Sequence, residues 1–266
     1  MQKRGQVTIF IIIGIIILFS AAGLYLIKDQ FFQNQTIQDT LIDTSSVKGF
    51  VESCLQKTLK DAVIHIGING GYNKLPDQSS TNADLNAPYY LFHHESNIPS
   101  KEIVEIEISK YVEEFMPFCI NNFETFTNEI TFKEMKAQSK INNNNVATTL
   151  SFPIKIIKNQ KETNLNSFKK QTPSSLNNAL LASNEIINYS LVFQNSLCLD
   201  CLEDTSQNNN LKIRSLELNI EEFFYVMEDE NDKDFIFRFA TKYDSNTYEQ
   251  EDELIDFSLL EGLTIE

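Results

Sequence analysis

The chain has 266 residues, 22 basic against 37 acidic side chains, a formal charge of −15 and 42% hydrophobic residues. That charge argues against nucleic acid and anionic lipid headgroups as partners, and it leaves divalent cations, basic surfaces or simple solubility as its use. Outside one apolar segment about 235 residues remain, ample for a core in one large domain or two small ones.

Lys3 and Arg4 precede a charge-free apolar run from Val7 to Ile27. In helical form the run spans about 30 Å, the thickness of a bilayer's hydrocarbon core, and so reads as a membrane anchor. The basic flank belongs in the cytoplasm, which places everything after Lys28 outside. With Lys3, Arg4 and Lys28 set aside, the remaining 19 basic side chains face all 37 acidic ones, near −18 for the exported part. A cleaved secretory signal is the competing reading, with Val7–Phe19 as its apolar core and Ser20-Ala21-Ala22 as the cleavage site. The run continues through Leu24-Tyr25-Leu26-Ile27 and outlasts a usual signal. The anchor carries Gly14 and Gly23 without a G-x-x-x-G spacing, so nothing in it argues for helix pairing.

The expected organisation is a cytoplasmic tip and transmembrane helix over 1–28, a stalk over 29–45, an ectodomain over 46–243 and an acidic tail over 244–266. Thr44-Ser45-Ser46 offers a cap for a helix over Val47–Ile68, and Gly70-Gly71 ends it. Tyr72–Pro99 reads as a long loop with an aromatic island at Tyr89-Tyr90-Leu91-Phe92, followed by His93 and His94. Ser100 caps a helix over Lys101–Phe126, with Ile103, Ile106, Tyr111, Phe115 and Phe118 as the expected buried face and Pro117 as a kink or early end.

Short apolar stretches follow. Ile130–Ile141 and Val146–Ile157 flank Asn142-Asn143-Asn144-Asn145 as a hairpin, with a third strand near Glu162–Lys170. Pro173 introduces a long helix over Ser174–Leu197, striped by Leu176, Leu180, Ile187, Leu191 and Phe193. After the turn at Asn208-Asn209-Asn210, three strands follow at Leu211–Leu218, Phe223–Glu228 and Asp234–Lys242. The fold class is therefore α+β: an N-terminal transmembrane helix, then about three helices and about six mostly antiparallel strands. Glu228–Asp234 reads as a hairpin turn, because it lacks the spacing of a calcium loop. Asp244–Glu266 reads as a tail, a docked helix or a segment awaiting a partner.

Four cysteines outside the membrane favour disulfides. Cys54 and Cys119 lie on the first two helices, and a bridge between them would pin the helices together. Cys198 and Cys201 form a C-x-x-C open to three readings: local bridge, redox pair or half a zinc site. The local bridge leads, because the motif is placed at the end of a long helix and not at the start of one after a strand.

No catalytic motif is found: there is no dinucleotide fingerprint at Gly67–Gly71, no nucleophile elbow and no H-E-x-x-H. No cofactor and no metal site are expected. His93-His94-Glu95 is the best local cluster for a metal, and a solvated loop is the preferred reading. Tyr89, Tyr90, Phe92, His93 and His94 are the candidate partner-binding residues, with a protein or glycan at the cell surface as partner and the membrane engaged through Val7–Ile27. Asn34-Gln35-Thr36 and Asn188-Tyr189-Ser190 are glycosylation acceptors, with Asn34 preferred for its place in the stalk.

Lys3-Arg4-Gly5-Gln6 resembles the archaeal type IV pilin leader, cut after a basic residue and a Gly, although Phe10 stands where such leaders carry a Glu. Together with Val47-x-x-Phe50-Val51-Glu52-Ser53-Cys54-Leu55, Ile66-Gly67-x-x-Gly70-Gly71-Tyr72 and Cys119-x-x-x-Phe123, the leader resembles a group of uncharacterised membrane-anchored proteins of small-genome archaea. The resemblance implies a surface location in the plasma membrane with a cytoplasmic N-terminus, and it implies no activity. Three readings follow: a non-enzymatic surface protein, a pilin-like filament subunit starting at Gln6, and an envelope redox protein using Cys198 and Cys201.

Overall fold

A computed structural model describes residues 44–82, 85–127, 129–192 and 199–244. The expected anchor Val7–Ile27, the leader Lys3–Gln6, Asn34 and the stalk lie outside the described residues, as does the tail beyond Asp244. Among the described residues no helix is long and apolar enough to cross a membrane.

The first described helix, α1, covers residues 44–68 and takes in Thr44-Ser45-Ser46, the expected cap. Val47, Val51, Leu55, Leu59, Ala62 and Ile66 are fully buried along it, at the three- and four-residue steps of one helical face. Gly70 and Gly71 end it. Gly71 N–H donates to Ile66 O at 2.7 Å and Gly70 N–H to Gly67 O at 3.0 Å, a Schellman closure that puts Gly70 at φ +55°.

Residues 72–99 are not the expected loop. They hold β1 (Ser79–Asn82), β2 (Leu85–Phe92) and the short β3 (Glu95–Ser96). The aromatic island is part of β2, and five consecutive residues of that strand, Ala87 to Leu91, are buried. A strand covered on both faces loses the polar alternation that would have marked it.

Helix α2 runs over Lys101–Ile120, with Ser100 Oγ accepting Ile103 N–H at 3.4 Å. It contains Pro117 and ends one turn later, where Asn121, Asn122 and Phe123 form a 3-10 turn with positive φ. Its buried face is Val104, Glu105, Ile108, Val112, Met116 and Ile120. Of the expected face, Ile103, Ile106, Phe115 and Phe118 face outward, 39% to 77% exposed, while half-buried Tyr111 packs against the core. Two apolar stripes share this helix, and the one with smaller side chains is the one that packs inward.

The expected hairpin is present as β5 (Lys136–Ile141) and β6 (Asn145–Lys158), preceded by β4 (Glu129–Phe132) and followed by β7 (Lys161–Pro173). All three neighbours pair antiparallel with β6: β4 and β5 share one of its edges end to end, and β7 takes the other. Helix α3 (Leu176–Val192) and helix α4 (Leu199–Asn209) come next, then β8 (Lys212–Asn219), β9 (Glu222–Glu228) and β10 (Ile236–Lys242). The larger sheet has the order β1-β2-β10-β9-β8 with β3 added to β2, and its β2–β10 pair is parallel.

The fold is thus α+β, with four helices and ten strands among the described residues in place of about three and six. One apolar core joins both sheets. Phe152 and Phe168 of the smaller sheet and Tyr90, Tyr225, Phe237 and Phe239 of the larger belong to the same buried cluster as α1, α2 and α3. The Cys54–Cys119 disulfide, with Cα atoms 5.7 Å apart, ties α1 to the last turn of α2.

Candidate functional site

The candidate partner-binding residues divide along β2. Tyr90 points into the core, fully buried, stacked on Phe239 at 4.8 Å and donating its hydroxyl to Gly70 O at 2.9 Å. It is a structural residue. Tyr89 points to the opposite face of the sheet, where it joins a small cluster with Ala87, Phe224 and Ala240. Phe92 packs at the border of that cluster, 5.4 Å from the Tyr89 ring.

His93 and His94 form the two-residue turn between β2 and β3, with φ of 48° and 66°. Two consecutive left-handed residues make a tight hairpin, and Asn-Gly fills such a turn most comfortably. Two imidazoles in its place carry backbone strain, offset here by contacts. His93 N–H donates to Lys242 O at 3.0 Å, His93 Nδ1 meets Asp244 Oδ1, and His94 Nε2 lies 3.1 Å from Asp244 Oδ2. Both rings thus clasp the carboxylate that follows β10.

A second polar group adjoins the clasp. Glu222 Oε1 on β9 accepts the Tyr89 hydroxyl at 2.8 Å and Lys242 Nζ at 3.1 Å. Burial, and then the bond to Glu222, push the Tyr89 phenol up to about 12. For Glu222 itself burial opposes the charge, but the bonds from Tyr89 and Lys242 together outweigh it and hold the carboxyl below its ordinary range. Around neutral pH the arrangement is a phenol donor, an ammonium and a carboxylate, beside an aromatic pair and two exposed imidazoles. It borders an open cleft of about 450 Å³ whose other wall is Asp77, Gln78 and Ser79. Such a site offers hydrogen bonds and ring faces to a polar ligand, and its Tyr89 is too weak an acid to supply a phenolate.

Glu222, Lys242 and Asp244 were not among the candidates. They lie some 130 to 150 residues from β2 in sequence, and only the parallel pairing of β10 with β2 brings them there. No local pattern marks that pairing.

Cys54 and Cys119 pair as expected. Cys198 lies outside the described residues, and half-buried Cys201 lies within α4. Asn188 is exposed on α3, whereas Ser190 of the same acceptor triplet is buried and donates to Ile186 O at 3.0 Å. Among the described residues no three His, Cys, Asp or Glu side chains are grouped to hold a metal ion. Neither a protein-family model, nor a curated protein, nor a solved structure matches the chain.

Proposed function

We propose that the chain is a single-pass protein of the archaeal cell surface, anchored through Val7–Ile27, whose α+β body binds or builds by contact and does not catalyse. The observation that carries the reading is the Cys54–Cys119 disulfide between α1 and α2. Structural disulfides belong to oxidising compartments, which agrees with a body placed outside the membrane by the basic flank Lys3-Arg4. The contact surface in this reading is the β2 turn, with Tyr89, Phe92, His93 and His94 presented beside Glu222, Lys242 and Asp244. Aromatic faces among fixed hydrogen-bonding groups suit a glycan or a polar protein surface.

The test is protease treatment of intact cells, followed by mass spectrometry of the membrane-extracted chain with and without reduction. Cleavage of the body from outside, with an uncleaved anchor and a 54–119 bridge, supports the reading. A protected body overturns it. A chain starting at Gln6 replaces it with the pilin-like subunit. Turnover of an envelope substrate by the purified chain, abolished by His93→Ala, would remove the non-enzymatic part.

A further inference from the structure

The acidity of the chain is not spread evenly. Residues 129–173, which run from β4 to β7, hold eight lysines and three glutamates in a molecule of net charge −15. Strand β6 sends Phe152, Ile154 and Ile156 into the core, so the alternate residues of this sheet look outward. On the outer face Thr131 of β4, Lys155 of β6 and Asn164 of β7 stand opposite one another in a single row.

A bulge turns this part of the face into a cleft. Between the Ser151–Ser167 and Ile154–Leu165 pairs β6 has one residue more than β7, which sets Phe152 and Pro153 against Asn166 alone. Pro153 has no N–H to give, and its carbonyl accepts the Lys133 N–H at 3.0 Å, which sets Lys133 beside it. The cleft measures about 470 Å³, room for a ring and not only for an inorganic ion. Lys133, Lys155, Asn164, Asn166 and Thr131 are its polar walls, and Phe132, 41% exposed, adjoins Pro153 as its apolar one.

We infer that this cleft binds a carboxylated sugar residue of a glycan. The two ammonium groups take the carboxylate, while the asparagine amides and the Thr131 hydroxyl match ring hydroxyls as donors and acceptors. Phe132 and Pro153 offer apolar surface to the C–H face of the ring. Glu162 stands at the rim, 2.6 Å from Lys155, and also accepts from Asn164. An ion pair as exposed as this one is weak, so a ligand carboxylate can share Lys155. The acidity of the whole molecule does not forbid that, because fields are screened within about 8 Å at physiological salt and a single carboxylate feels the lysines around it. A long polyanion would meet the acidic body as well. The site is separate from the β2 turn, and it holds or fails without the location and role proposed above.

The test is isothermal titration of the full chain with cellobiouronic acid, a disaccharide with one carboxylate, and with neutral cellobiose. The expected result is saturable binding of the acid and binding of cellobiose about fivefold weaker, the order of one exposed charge pair. Lys133→Gln should weaken binding of the acid by a similar factor. Glu162→Gln, which frees Lys155 and removes a repelling charge, should tighten it, a gain that damage to the fold would not produce. His93→Ala in the β2 turn should leave it unchanged. Absence of saturation overturns the assignment, as does an affinity that neither Lys133→Gln nor Glu162→Gln alters. Equally tight binding of a glutamate dipeptide also overturns it, and gives the cleft to an acidic protein segment.

Discussion

Glu105 and Ile141 are 36 residues apart in sequence, yet Glu105 Oε1 accepts the Ile141 N–H at 2.9 Å. One turn along α2, Ser109 Oγ accepts Ser139 N–H at 2.9 Å, and one turn further Glu113 Oε1 accepts Ala137 N–H at 2.7 Å. Four helical residues rise about 6 Å and two strand residues about 6.8 Å, so side chains at every fourth helical position can meet every second amide of an edge strand. Helix α2 thereby stands in for a strand along β5.

Removing these acceptors should be costly. Glu105→Ala leaves the Ile141 amide without its acceptor and Lys140 without its partner at 2.6 Å. A loss of about 1–3 kcal/mol in denaturant unfolding is expected. Glu105→Gln keeps an acceptor and loses only an ion pair to an exposed lysine, with a loss below about 1 kcal/mol. The combined Glu105→Ala, Ser109→Ala and Glu113→Ala variant should also self-associate, seen by light scattering, because the β5 edge is then open. A triple variant as stable and monodisperse as the parent would contradict the edge-guarding role.

The disulfide gives a second prediction. It closes a loop of 65 residues, for which the chain-entropy model assigns about 4 kcal/mol. Cys54→Ser with Cys119→Ser should lower stability by about that amount, and a reducing agent should act alike on the parent and not on the variant. The aromatic group of Phe50, Phe123 and Phe126 beside the bridge should keep α1 and α2 together without it. Circular dichroism of the variant should therefore retain the helical signal at moderate temperature, and loss of that signal would show the bridge to be essential for folding.

The parts of this fold legible in sequence are those set by local chemistry. Gly70-Gly71 ended α1, Ser100 opened α2, and the four asparagines closed the β5–β6 hairpin, where Asn142 N–H donates to Asn145 O at 2.8 Å. Asn210 at φ +51° likewise ends α4. The inner face of α2 was misread because its helix carries two apolar stripes, and the polar side chains beside the inner one look solvent-bound until β5 is known to need acceptors. The strand character of β2 was hidden by its double burial. Of the candidate site, the aromatic and histidine half was readable as a cluster. Its carboxylates and lysine were not, since a parallel pairing across some 150 residues leaves no trace in local spacing.

Glycine substitutions separate backbone need from mere tolerance. A Cβ on Gly70 would lie 2.4 Å from Arg238 O and 2.6 Å from Pro88 Cγ, at φ +55°. Gly70→Ala should cost at least about 2 kcal/mol, since left-handed strain and a backbone clash act together. Gly49, also on α1, is exposed with nothing within 4 Å of the added atom. Gly49→Ala should stabilise by about 0.5–1 kcal/mol. Thermal unfolding of the two variants should shift in opposite directions, and a shift of the same sign would refute this account of the α1 terminus.

The Tyr89–Glu222 pair should contribute to the pH dependence of stability at both ends. A phenol held at about 12 favours the protonated form in the folded state. Its contribution is complete below the unfolded value of about 10 and is lost as pH rises through about 12. Buried Tyr90 and Tyr225, both well above their ordinary value, act in the same direction. Glu222, held low, contributes above the unfolded carboxyl value of about 4.3, and that contribution is lost as pH falls through its folded one. Glu222→Gln removes the charge that raises Tyr89, so one phenol should titrate earlier when phenolate absorbance is followed, and part of the acid loss of stability should vanish. Tyr89→Phe should remove one late-titrating phenol and leave Tyr90 and Tyr225 in place. If the Glu222→Gln titration overlays that of the parent, the bond between these two side chains does not exist in solution.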